Sequence, residues 1–334
     1  MKKGSLVFSS GQGGFNAGSK AVADAAAIAS AQGWRLFEAP MPEIGSVFIK
    51  RLLTKSKGLS NILLCFVLSK EIFLQYPIYS EHYKALITLL LKLHFRKCTI
   101  LVHDLNPLRG EGSFKEECAF LKLADRIIVH NDAMMRSLTE AGLDAAKMRK
   151  LDLFDYLCEK PNRLERCRGT EICFAGNLSK SVFLRDLPSV ISSSASINLY
   201  GSPSDNIRTG ENVRYLGRFS PDDISGIHGS WGLVWDGDSC SGISGNTGEY
   251  LKLNSPHKAS LYIAAGLPVI VSSESAIAPY VESKGLGICV SSLDELPERL
   301  SRISDEEYRR MTEAVDTEAA ALKSGSHLAA ALAD

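Results

Sequence analysis

The sequence predicts an α/β protein of two domains, each a parallel β-sheet covered by helices. Three observations lead there. Short β-like runs alternate with longer helical ones through the first half of the chain. A polar stretch without apolar periodicity follows at 159–170, and a second alternating series begins behind it. Such alternation implies parallel strands joined by helices on the sheet faces. A chain of 334 residues also exceeds the size at which one core stops growing, about 250–300 residues. The expected domains are 1–160 and 161–334.

In order, SLVFSS leads through a glycine-rich turn into an alanine-rich helix from Ala17 to Ala31. RLFEA, EIFLQYP, a helix over about 81–95 and CTILVHD come next. DRIIVHN precedes the helical DAMMRSLTEAG, and KLDLFDYL closes the series. Behind the polar EKPNRLERCRGT, a linker by composition, come EICFAGN, SINLYGS, VRYLGRF, GLVWDGD, LPVIVSS and GLGICVS. The tail from Asp305 reads as helix, with alanines suited to packing back on the body, including the first domain.

Composition narrows the class. The 45% apolar and 23% charged fractions are ordinary for a globular protein. With 38 basic and 38 acidic residues, no global basic charge points to nucleic acid. The eight cysteines are scattered without a CxxC pair, several inside apolar runs such as ILLCFVL. Reduced thiols are expected, not a disulfide framework or a zinc site. No signal peptide is read at the start, and lysines break every apolar run before about 18 residues, so a cytoplasmic protein is expected. Attachment to the inner membrane face stays open, because KALITLLLKLHFRK (84–97) mixes an apolar body with basic ends. A core-facing helix is the simpler reading of that segment.

Several stretches carry chemistry. GQGGFNAGSK (11–20) joins a strand to a helix, where glycines admit a ligand and the helix start can hold an anion. The G-x-G-x-x-G fingerprint fails at Asn16, although Glu38 could imitate a ribose-binding acid. VHDLNPLRG (102–110) ends a strand in His103-Asp104, and ligands of open α/β sheets bind beyond strand carboxyl ends. Asp104 there is either a general base or a loop cap. In IIVHN, Asn131 or Asp132 is expected to cap the next helix. FAGNLSK (174–180) offers backbone N–H groups and Lys180 to a phosphate, or simply caps a helix. The Asp236-x-Asp238 pair of WDGDS can share a cation, but a turn with solvated acids is the default.

NSPHKASLYIAAGLPVI (254–270) is the most specific stretch. Ser255 is expected as N-cap, Pro256 as first helical residue, and Gly266 as the residue that stops the helix. Lys258 then lies in the first turn, against the helix dipole, at a cost of a few tenths of a kcal/mol. A lysine beside unpaired N–H groups makes a strong anion site.

These blocks, with FDYL and GLVWDGDS, resemble a group of bacterial GT-B glycosyltransferases. The group includes the β-1,6-galactofuranosyltransferase of enterobacterial O-antigen synthesis and a streptococcal glucosyltransferase acting on serine-rich adhesins. The resemblance runs from about residue 14 to 290. It implies two Rossmann-like domains facing a central cleft, an acceptor site in the first and a UDP-sugar site in the second. Inverting transfer without a cofactor or essential metal is implied; the acceptor hydroxyl then needs a base, for which Asp104 is the best-placed acid by sequence, with His103 and Arg109 near the acceptor. Lys258 would hold the diphosphate, with Ser255, His257, Asn177 and Lys180 around it. Gly14 and Asn16 would close over the nucleotide, and Asp236 and Asp238 would line the sugar pocket. Phe219 falls where the family has an aromatic residue by the SPDD helix start, but lacks its hydroxyl. The expected partners are a UDP-sugar, a saccharide acceptor (free or lipid-linked) and further copies of the chain in a homo-oligomer. A nucleotide-dependent oxidoreductase and a non-catalytic sugar-binding subunit stay open as alternatives.

Overall fold

The computed structural model describes residues 2–9, 17–42, 45–93, 96–161, 164, 166–191, 194–204, 207 and 210–333. The chain divides into two units, one of residues 1–151 with 328–334 and the other of 152–327.

In the first unit the elements follow as β1 (Lys3–Val7), α1 (Ala17–Ala31), β2 (Trp34–Glu38), α2 (Phe48–Leu68), β3 (Glu71–Tyr76), α3 (Glu81–Lys92), β4 (Lys97–Val102), α4 (Phe114–Leu121), β5 (Arg126–Val129), α5 (Asp132–Glu140) and β6 (Met148–Lys150). The six strands pair in the order β2-β1-β3-β4-β5-β6, all parallel. Their centres are apolar on both faces, as with Ile72, Phe73 and Leu74 of β3, each fully buried. Continuous burial of this kind is what a parallel sheet covered by helices requires.

The second unit continues as β7 (Glu171–Ala175), α6 (Leu187–Ile191), β8 (Ser196–Tyr200), β9 (Val213–Tyr215), β10 (Trp231–Val234), α7 (Gly245–Leu251), α8 (His257–Ala264), β11 (Val269–Ser272), α9 (Ala278–Lys284), β12 (Gly287–Val290), α10 (Leu296–Arg302) and α11 (Asp305–Ser324). Its strand order, β12-β11-β10-β7-β8-β9, is again all parallel. Counted from β7, this is the 3-2-1-4-5-6 order of a Rossmann sheet, and the order reverses between β7 and β10. Ligands of such sheets bind at that switch point.

Helix α11 starts at a capping box between Ser304 and Glu307 and lies against α8, burying Val315, Ala319 and Leu322 in the same core. A last helix, α12 (Ser326–Leu332), carries the tail back to the first unit. There Arg126 donates to the Ala333 carbonyl at 3.0 Å.

Three sequence expectations change, and one helix was not expected. The boundary expected after residue 160 stands at 151/152, because Leu153 and Tyr156 are buried in the second unit's core. The turn is made at Asp152, whose φ of 63° lies in the left-handed region. KLDLFDYL therefore keeps only a short strand at its entry. SPDD begins a turn, not a helix: Asp223 N–H donates to the Ser220 carbonyl at 2.9 Å, and the Asp223 carboxylate takes the Ser225 hydroxyl and Lys160. Helix α2 has no counterpart in the sequence analysis, since it is apolar on its outer side as well as its inner one and the two apolar stripes overlap along the sequence.

Segment 84–97 supplies most of α3 (Glu81–Lys92), which buries Tyr83, Ile87 and Leu91. Among the described residues no helix is long and apolar enough to cross a membrane. All eight cysteines are free thiols; five are buried, and burial pushes Cys65 up to about 12.

Candidate active site

Two clusters stand at the carboxyl ends of strands, one in each unit. The second unit's cluster is organised by α8. Tyr262 on this helix is fully buried; its hydroxyl accepts the Ala175 N–H at 2.7 Å and so ties α8 to the end of β7. Its ring occupies the space beside Gly232, where an added Cβ would lie 2.3 Å from the ring's Cγ. Gly232 is thus the residue that lets α8 close on β10.

The helix begins one residue later than the sequence suggests. Pro256, extended at φ −71° and ψ 137°, is the N-cap, and its carbonyl takes the Ala259 N–H at 2.9 Å. Ser255 precedes it and is buried. Proline has no N–H to lose at this position, so the cap needs no side-chain partner for it. At the other end Gly266, with φ 79°, follows the C-cap and stops the helix as expected.

Lys258 is the second helical residue, and its place is specific. Nζ donates to the Trp235 carbonyl at 2.9 Å and to Asp236 Oδ1 at 2.8 Å. It also lies 4.9 Å from the centre of the Phe174 ring, a cation–π distance. Its stem runs along Gly176, where an added Cβ would come within 3.6 Å of Cδ. The lysine therefore bridges the ends of β7 and β10, across the switch point. It is not a solvated surface charge, being 15% exposed, nor is its ammonium aimed only at the helix N–H groups.

WDGDS forms the other wall. Trp235 is buried and donates from Nε1 to the Ser239 carbonyl at 3.0 Å, closing a turn over Asp236. Gly237 sits at φ 114°, with Ser244 O only 2.3 Å from where a Cβ would stand, so no other residue fits. This turn separates the two acids. Asp236 pairs with Lys258, whereas Asp238 is exposed beside Gly245. Among the described residues no group of three His, Cys, Asp or Glu could hold a metal.

The remaining residues expected here vary in their placement. His257 is half-buried between the rings of Phe154 and Tyr156, with centroids 6.0 and 5.1 Å away, which gives FDYL its place. Asn177 is exposed and folds back on its own loop, its Oδ1 taking the Ser179 hydroxyl and the Lys180 N–H, so its side chain shapes that loop. Lys180 is exposed. Phe219 is half-buried, edge-on to Tyr200 at 5.5 Å, and its ring packs against the core. Gly14, Asn16 and the Arg109 side chain lie outside the described residues. Asn254, one residue before Ser255, went unnoticed in the sequence; it is 7% exposed, and its Oδ1 has no partner among the described residues.

In the first unit, His103 and Asp104 follow β4, both half-buried. The Gln75 amide donates to the Val22 carbonyl, which turns its Oε1 toward His103 Nε2 at 2.7 Å. With Gln75 Oε1 as the acceptor, Nε2 is the donor of this pair. His130, fully buried, ties β5 to β4 through the Val102 carbonyl at 2.9 Å, while Asn131 caps α5 by accepting the Met134 N–H.

Sequence reasoning missed Glu117. It sits on the buried stripe of α4, three residues after Phe114 and four before Leu121, and is 7% exposed. The Tyr76 hydroxyl hydrogen-bonds its carboxyl, Lys84 and Asp104 are its charged neighbours, and Oε2 has no partner among the described residues. A glutamate at a helix position where the period calls for an apolar residue was the available signal.

Burial raises the Glu117 carboxyl from 4.5 to about 7, and the Asp104 charge adds to this; the Tyr76 hydrogen bond and Lys84 work against it. Between those values the folded protein holds a proton that the unfolded chain has released. Stability therefore falls as pH rises from 4.5 through 7 and is level above. Glu117→Gln should flatten this slope by about 2 kcal/mol in urea titrations compared at pH 5 and pH 8. An unchanged slope would refute the assignment.

Paired Rossmann-like units with this cationic helix start define the class: the fold is that of the GT-B glycosyltransferases. It is shared with Anabaena HepE, solved with UDP and glucose (TM-score 0.61, 11% identity, 99% of this chain and 100% of that one). An α-glucosyltransferase solved with UDP shares it too (TM-score 0.55, 11% identity, 93% and 94%). Residues 6–153 match the family described as Glucosyltransferase 3-like, N-terminal domain, and residues 172–334 its C-terminal counterpart. The chain belongs to this glucosyltransferase 3-like family and is a glycosyltransferase. It is 31% identical to β-1,6-galactofuranosyltransferase WbbI of Escherichia coli K12 over 68% of this chain and 67% of that one. It is 29% identical to glucosyltransferase 3 of Streptococcus gordonii over 70% and 69%.

Proposed function

We propose that the protein moves a sugar from a UDP-sugar to a hydroxyl of a saccharide acceptor, with inversion, in building a cell-surface polysaccharide or glycan. Galactofuranose is the first donor to test, then glucose and other hexoses, as the names of WbbI and glucosyltransferase 3 suggest. The observation that carries the reading is Lys258, held across the β7–β10 switch point at the start of α8.

In this reading the acceptor oxygen bonds to the anomeric carbon as the bond from that carbon to the β-phosphate oxygen breaks. Asp104 takes the hydroxyl proton. UDP departs with the electron pair, and its growing charge meets Lys258 and the N–H groups of α8. Asp236 holds the lysine in place, and its carboxylate shares the ammonium with the arriving diphosphate.

A panel of UDP-sugars, read by UDP release and by anomeric configuration of the product by NMR, tests the proposal. UDP-galactofuranose should give the fastest transfer with an inverted product; a retained configuration or no UDP release from any donor would overturn it. Because the protein supplies the cation at the leaving phosphate, transfer is expected to continue undiminished in EDTA. A rate that drops tenfold and returns with magnesium or manganese would show that a metal does this work.

A further inference from the structure

Helix α2 turns its polar and apolar residues the opposite way from a helix covering a sheet. Its inner face is narrow, burying Gly58, Ile62, Cys65 and Phe66. The outer face exposes large apolar side chains: Ile49 is 67% exposed, Leu53 65% and Val67 69%. Along that face Ile49, Leu53, Ser56, Ser60, Leu63 and Val67 follow at steps of four, three, four, three and four. This is the spacing of a seam that packs against another helix.

The seam is also symmetric about Gly58. Ile49 and Val67 stand nine residues either side of it, Leu53 and Leu63 five, Ser56 and Ser60 two. Leu52 and Leu64, both exposed, repeat the symmetry at six. A two-fold axis at this point makes a surface complementary to itself, with residue i against j and j against i. The two serines fall at the middle, where small side chains let helix axes approach to about 8–10 Å.

Charge selects the direction. The basic residues Lys50, Arg51, Lys55 and Lys57 all precede Gly58, residues 58–68 carry no charge, and the helix has no acid. A parallel pair would lay one basic half on the other. An antiparallel pair lays each basic half along the partner's uncharged half, toward the negative end of its dipole. A lipid surface fits less well, since the cations are confined to one end and polar serines interrupt the apolar stripe at its centre.

We propose that α2 docks against α2 of a second copy of this chain, antiparallel, about a two-fold axis beside Gly58. Sedimentation equilibrium and light scattering on the full chain test this. The wild type should be a dimer or a larger even-numbered oligomer. Leu53→Glu and Leu63→Lys should each weaken association at least 100-fold, with unchanged circular dichroism. In an antiparallel pair position 53 faces 63 of the partner twice, so the double variant L53E/L63K should recover to within tenfold of the wild type. A monomeric wild type at tens of micromolar would overturn the proposal, including one that floats with anionic vesicles. So would single variants that associate normally, or a double variant that stays dissociated.

Discussion

Lys258→Ala is expected to lower UDP affinity by about 100-fold in isothermal titration calorimetry, and transfer with it. A hydrogen bond to a charged group is worth about 1.5–3 kcal/mol, which alone corresponds to roughly 10- to 150-fold. The upper part of that range is expected because the lysine also neutralises Asp236, 2.8 Å away. Removing the ammonium leaves that carboxylate facing an incoming diphosphate. Adding Asp236→Asn to Lys258→Ala should therefore recover part of the affinity. The acid alone, as Asp236→Asn, should change affinity only a few-fold, since Trp235 O and the Phe174 ring still place the lysine. Affinity unchanged in Lys258→Ala would remove the diphosphate assignment, whatever happens to turnover.

Asp104→Asn should keep UDP binding within about twofold while transfer falls by about 10²–10⁴, the range for loss of a general base. Asparagine preserves the shape and polarity of the loop after β4, so a structural role alone would leave the rate near normal. Tight UDP binding with little transfer would separate this half of the chemistry from the Lys258 half. A near-wild-type rate would move the base elsewhere, and Glu117 would be the next carboxyl to test. The Asp104 charge helps to raise the Glu117 carboxyl, which makes the two acids electrostatic neighbours.

Much of the architecture was legible in short runs. EICFAGN, GLVWDGD and LPVIVSS became the strands β7, β10 and β11, because fully buried parallel strands need continuous apolar residues. The stop of α8 at Gly266 was legible for a different reason, since few residues but glycine adopt a φ of 79°. Its start was off by one residue: proline is compatible with both the N-cap and the first turn, and only the surrounding chain chooses. SPDD has the composition of a helix start, yet Asp223 is engaged by Ser225 and by Lys160, sixty-three residues earlier. That pairing turns the chain away from helix, and nothing local announces it.

The sequence by itself determined which residue types stand at strand ends and helix starts: Lys258 after a proline, His103-Asp104 after an apolar run, two acids around a glycine. These are local consequences of backbone geometry and burial. Only the tertiary structure decided what each one touches. It gave Lys258 to Asp236 and the Phe174 ring, folded Asn177 back on its own loop, packed Phe219 against the core and placed Glu117 beside Tyr76 and Asp104. Those partners come from strands and helices tens of residues apart, brought together by sheet order. Charge, reach and desolvation depend on distances in space, which spacing along the chain does not encode.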